Sequence, residues 1–238
     1  MRVDYLCEHA TSVCCEVAKR DLGDTPLYIV PYSRLEHYPE KNLCAGFTNP
    51  SLDLFVKDHI PDWRGRGPCI VIDELPLRLR RFDYDLDFLA VALHELAHIL
   101  QRDVLYRERP NVTPEVIQAE SDRLAALVSN EAALLHKNLA NPLTDHNGEY
   151  LRIAFHLLHR AVAIGQPLAA NMIIDTTAYG LSASECYADA IADEAARTRE
   201  ATFREILATK FPEEFSRLWT ADVVRWFHSQ PDKEVEAT

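Results

Sequence analysis

A chain of 238 residues with 47% hydrophobic and 26% charged residues has the balance of a globular protein with one sizeable core. Its net charge of −12 argues against a protein that lives on nucleic acid, because phosphate binding relies on a basic surface. No apolar run approaches the ~20 residues that a bilayer span requires, and Met1-Arg2-Val3-Asp4 opens no secretory apolar stretch.

Residues 2–20 carry Val3, Leu6, Cys7, Ala10, Val13, Cys14 and Val17 at helical spacing and predict an amphipathic helix. Gly23-Asp24-Thr25-Pro26 ends it, and Leu27-Tyr28-Ile29-Val30 reads as a short buried strand. Further strands are expected around Ala45-Gly46-Phe47-Thr48, at Leu52–Val56 with its period-two alternation, and at Cys69-Ile70-Val71-Ile72. Asn49-Pro50-Ser51 would be a hairpin turn. A helix then runs from Asp85 to Leu100. Beyond it the chain reads as helical: from Thr113-Pro114 towards His136, over 148–163, from Ser182 to about Arg199, and over 201–209 and 213–228. The polar tail, Pro231 to Thr238, is expected to be disordered. The six cysteines form no CxxC pair, so reduced thiols and a cytoplasmic setting are the simplest expectation.

The chemistry is concentrated in His94-Glu95-Leu96-Ala97-His98. Residues i and i+4 leave one helix face a turn apart, the spacing that lets two imidazoles meet one zinc ion at ~2.0–2.1 Å. Glu95 points to the adjoining side, where it can serve as general base to a zinc-activated water. The motif sits among Ala92, Leu93, Leu96 and Ala97, where desolvating three polar groups is costly unless something pairs with them.

The motif and the order of elements around it resemble the zincin metallopeptidases. The resemblance implies an α+β fold: a small mixed sheet with flanking helices, then the active-site helix, then a mainly helical half. One catalytic domain would cover residues 1–230, with an α/β part to 103 and a helical part from 104. It implies one catalytic Zn²⁺, a protein or peptide substrate, and an extended substrate segment paired with the strand nearest the cleft. Cys69–Ile72, the last strand before the active-site helix, is the candidate. The metzincin continuation is excluded, because Gln101 and Val104 stand where it needs glycine and histidine.

Catalytic zinc usually takes three protein ligands, and two candidates exist for the third. His146 lies one turn before Tyr150 and so faces the interior with the stripe Tyr150, Ile153, Ala154, Leu157, Leu158 and Ala161. Its surroundings resemble the HGxxF-type segment of SprT-like proteases, with one extra residue, Asn147. Glu185, in Glu185-Cys186-Tyr187-Ala188-Asp189, resembles the ExxxD segment of gluzincins. There the glutamate binds zinc, and Asp189 would orient His94. Equally, Ser182-Ala183-Ser184-Glu185 could be a helix capping box. His156 and His159 share with Arg152 the face opposite the apolar stripe and are expected in solvent. Tyr179 and Tyr187 read as core tyrosines. The expected activity is a zinc-dependent endopeptidase with Glu95 as base. The alternative is a zincin-shaped interaction module with a bound or structural zinc and no catalysis.

Overall fold

A computed structural model describes residues 2–35, 45–48, 52–79, 83–101, 146–175 and 180–229. The predicted helix from Thr113 towards His136, the turn Asn49-Pro50-Ser51, Tyr179 and the tail from Pro231 lie outside the described residues. The fold is mixed α+β and mostly helical, with one small three-stranded sheet.

Helix α1 (Arg2–Val17) and the short α2 (Lys19–Leu22) form where the amphipathic pattern places them. Leu6, Ala10, Val13, Cys14 and Val17 turn inward. The sheet comprises β1 (Tyr28–Pro31), β2 (Gly46–Thr48) and β3 (Cys69–Ile72) in the order β1-β3-β2. β3 runs parallel to β1 and antiparallel to β2. It is fully buried, as its unbroken apolar run requires. Alternation along the strands divides the interior. Ile29, Ile70 and Ile72 join the main core. Tyr28, Val30, Cys69 and Val71 face a smaller cluster with Leu35, Leu52 and Val56.

Two strand expectations change. Leu52–Val56 is a helical turn (α3), not a strand. It buries Leu52, Asp53 and Val56, and the Asp53 carboxylate accepts hydrogen bonds from Arg66 Nε at 2.7 Å and the Gly67 amide at 3.1 Å. Period two would have sent Asp53 to solvent; instead it is buried and pairs with Arg66, whose own side chain remains exposed. Cys69–Ile72, proposed to receive substrate, is the central strand with both edges taken by β1 and β2.

A short helix α4 (Glu74–Leu79) leads into α5 (Tyr84–Gln101), which carries the motif. Phe88, Leu89, Ala92, Leu93, Leu96, Ala97, Ile99 and Leu100 are all buried, because α5 touches α1, the sheet and the helices that follow. Those helices are α6 (Gly148–Ala163), α7 (Ala170–Ile173), α8 (Ser184–Arg197), α9 (Phe203–Leu207) and α10 (Glu213–Ser229). The main core runs without a break from α1 through α5 and α6 to Phe215 of α10. No helix among the described residues is long and apolar enough to cross a membrane. The described cysteines, Cys7, Cys14, Cys15, Cys69 and Cys186, are free thiols.

The second face of α6 departs from expectation. Arg152 and His156 are 1% and 0% exposed, and His159 is half-buried with its Nε2 3.1 Å from the Ala188 carbonyl. α8 and the α9–α10 link cover that face. There Glu194 pairs with Arg152 and lies 3.2 Å from His156, while Arg152 also donates to Thr209 and sits over the Phe211 ring. The polar stripe is an interior network rather than a wetted surface.

Candidate metal centre

Three histidines converge where α5 meets the start of α6. His94 and His98 leave α5 one turn apart, with ring centroids 5.2 Å from each other. His146, in the turn just before α6, brings its ring to 5.0 Å from His94 and 4.9 Å from His98. One ligand nitrogen from each lies within 4.8 Å of the other two, and the three could hold a metal ion.

The tautomer of His94 is set by its backbone partner. Its Nδ1 lies 2.9 Å from the carbonyl of Ile173, the last residue of α7, where helical carbonyls lack an intrahelical partner. Nδ1 therefore carries the proton, and Nε2 of the neutral ring presents a lone pair. That Nε2 faces His146 Nε2 at 3.1 Å. Two nitrogens bound to one tetrahedral ion at ~2.0–2.1 Å stand roughly 3.3 Å apart, so this pair already has the spacing of such a site. Burial pushes His94 down to about 4, against the opposing pull of the Ile173 bond. Burial, and then the neighbouring His94, push His146 down to about 3. At neutral pH both rings are in the uncharged form that a metal requires.

Tyr150 floors the cluster. Its ring stacks on His98 at 4.2 Å and meets His146 edge-on at 4.7 Å, while its hydroxyl donates to the His94 carbonyl at 3.3 Å. An aromatic wall fixes the three imidazoles without adding a charge.

Glu95 is buried on the side of α5 that faces β2. A methyl group built on Gly46 would sit 3.2 Å from Glu95 Cγ and 2.5 Å from Val91 Cγ1. The bare glycine is what allows strand and helix to approach with the carboxylate between them. Gly46→Ala is expected to cost about 1–3 kcal/mol by overpacking this contact. Urea unfolding would measure it, and Val91→Ala in the same chain should recover most of the loss.

The second candidate ligand is elsewhere. The inner face of α8 is Ser184, Tyr187, Ile191, Glu194 and Ala195, which turns Glu185 and Asp189 outward, where both are exposed. Neither belongs to the histidine cluster, and the partner of His94 Nδ1 is the Ile173 carbonyl rather than Asp189. The capping box is not formed either: α8 is capped at Ala183 without a side-chain bond. The Ser182 amide and hydroxyl donate instead to buried Asp222 at 2.8 and 2.9 Å. Tyr187 is a core residue whose hydroxyl also donates to Asp222. Sequence reasoning missed Ile173 and Tyr150. The first acts through its backbone and leaves no side-chain signature. The second read only as one of several apolar positions on α6.

Comparison of the chain with protein-family models, with curated proteins and with solved structures finds no match. The geometry of the centre is therefore the basis for any functional reading.

Proposed function

We propose that the chain is a zinc-dependent metallopeptidase. The observation that carries this reading is the arrival of His146, from a separate segment of the chain, beside both histidines of the His94–His98 motif. Three imidazoles, two of them, His94 and His146, uncharged at neutral pH, are a donor set that suits zinc and leaves a fourth position for chemistry. Bound there, zinc would supply Lewis acidity, lowering the pKa of water towards ~7 and polarising the scissile carbonyl.

The residues of the chain supply the rest. His94, His98 and His146 would hold the ion, with His94 locked in the competent tautomer by Ile173. Glu95, next to His94 and outside the ligand set, would take a proton from the attacking water and return it to the leaving amine. An extended substrate backbone passing Glu95 would meet β2, which abuts that side chain, rather than the central strand β3.

The test is metal dependence of proteolysis. Purified protein should bind one zinc per chain and cleave an unfolded substrate such as casein. Dialysis against a chelator should abolish cleavage, and stoichiometric zinc should restore it. Cleavage that survives chelation sinks the proposal. Bound zinc without cleavage of any peptide would favour the non-catalytic interaction module.

A further inference from the structure

We propose that Gln101 and Asn147 form a clasp that positions His146 and thereby sets the metal affinity of the centre. The inference rests on the reading of the three histidines as a metal site, but not on peptidase activity.

Two of the ligands are fixed by sharing α5. The third is not: His146 lies 52 positions after His94, in a turn outside any helix. Tyr150 ties the first turn of α6 to α5 through the His94 carbonyl, and a further polar tie lies one residue from His146. Asn147 is the N-cap of α6, and its Oδ1 accepts from the Tyr150 amide at 3.0 Å. The same oxygen accepts a second bond, from Gln101 Nε2, also at 3.0 Å. Gln101 is the last residue of α5, three positions beyond His98. One oxygen atom thus joins the helix that bears two ligands to the turn that bears the third.

The orientation of both amides follows from this arrangement. Asn147 must direct its oxygen at a backbone N–H, so Gln101 must present its NH₂. From the other side the turn is confined by α10. A Cβ added at Gly148 would fall 3.2 Å from the Trp219 indole nitrogen. The backbone that carries His146 therefore cannot draw away from α5 without breaking the Gln101–Asn147 bond, and Gly148, two residues on, already lies close against Trp219. Gln101, which stands where a metzincin would have glycine, acquires a role of its own here.

The bonds of both clasp residues run to each other and to the α6 backbone, so both are positioning residues, and an N-cap alone could explain Asn147. Gln101 separates the two roles, because it is no part of the cap. Zinc affinity of the full-length protein is measured by competition with a chromogenic chelator, alongside the Co²⁺ absorption spectrum and metal-free thermal unfolding. Gln101→Ala and Gln101→Glu, the latter facing an acceptor with an acceptor, should lower zinc affinity about 10–100-fold. The metal-free unfolding midpoint should stay where it is, and the Co²⁺ bands should shift. Asn147→Ala should lose as much affinity, and Asn147→Asp, which keeps both accepted bonds, should restore it. Joined to Gln101→Ala, Asn147→Ala should cost no more than either change alone.

Wild-type zinc affinity and an unaltered Co²⁺ spectrum in both Gln101 variants would overturn the clasp. A wild-type protein that binds no zinc, or binds it equally well as His146→Ala, would overturn the metal site and the clasp with it. Absence of proteolysis bears only on the peptidase reading, since the zinc affinities decide the clasp either way.

Discussion

Replacing Glu95 with glutamine should lower peptide hydrolysis by about 10²–10⁴-fold, the range that a positioned general base contributes. Bound zinc should remain at wild-type stoichiometry. The substitution keeps the volume and shape of the side chain, so the packing against Val91 and Gly46 persists and the fold is not called on to adjust. The amide cannot accept the proton of the attacking water. Because Glu95 is outside the histidine cluster, metal content is an independent control. On the free-energy scale the loss is about 2.7–5.5 kcal/mol of transition-state stabilisation. Casein turnover, metal analysis and a thermal melt on one preparation would test all parts together. A loss under tenfold with zinc retained would mean that Glu95 is not the base.

The parts of this centre that were legible in the sequence share one property: they follow from periodicity within a single element. The spacing of His94 and His98 needs only an α-helix, and the apolar run of α5 supplies one. His146 was reachable by counting one turn back from Tyr150, since helical phase carries over into the residue before the cap. The short apolar runs at Leu27–Val30 and Cys69–Ile72 likewise announced strands, found at Tyr28–Pro31 and Cys69–Ile72.

What was not legible depends on coverage by distant segments. Arg152 and His156 occupy the polar side of α6, which looks like a solvent face until α8 and the α9–α10 link are laid across it. Asp53 can be buried because Arg66 and the Gly67 amide come to meet it, a contact that the strand-like pattern of Leu52–Val56 does not announce. The rank of β3 as the central strand is a property of sheet order, which no single strand encodes. Asp189 is a different kind of miss. The phase of α8 was readable from Tyr187 and Ile191, and it places Asp189 on the outer side. A motif-shaped pair of acids drew attention from that simpler signal.

The largest stability effect is expected at Arg152. Arg152→Ala should destabilise the protein by about 3–5 kcal/mol, the usual result of breaking a buried ion pair from one side. Arg152 is fully buried, donates from Nε to Glu194 at 3.1 Å and from Nη1 and Nη2 to Thr209 at 3.1 and 2.8 Å, and stacks over Phe211. Its removal strands the Glu194 carboxylate in the interior with His156 as its remaining partner. Such a loss is a large fraction of the roughly 5–15 kcal/mol that holds a domain together. Burial pushes Glu194 up, but the bonds from His156 and Arg152 outweigh it and hold the group at about 2, below its ordinary 4.5. A carboxylate lowered in this way adds stability that is complete above pH 4.5 and drains away as pH falls towards 2. Urea midpoints across that interval should therefore fall more steeply for the wild type than for Arg152→Ala. Replacing both partners, as Arg152→Met with Glu194→Met, removes the stranded charge and should recover much of the loss. If Arg152→Ala costs under 1 kcal/mol at neutral pH, the network is not holding α6, α8 and the α9–α10 link together as described. The same α6 begins at the turn that carries His146, six residues before Arg152, so a marked loss should also loosen the histidine cluster.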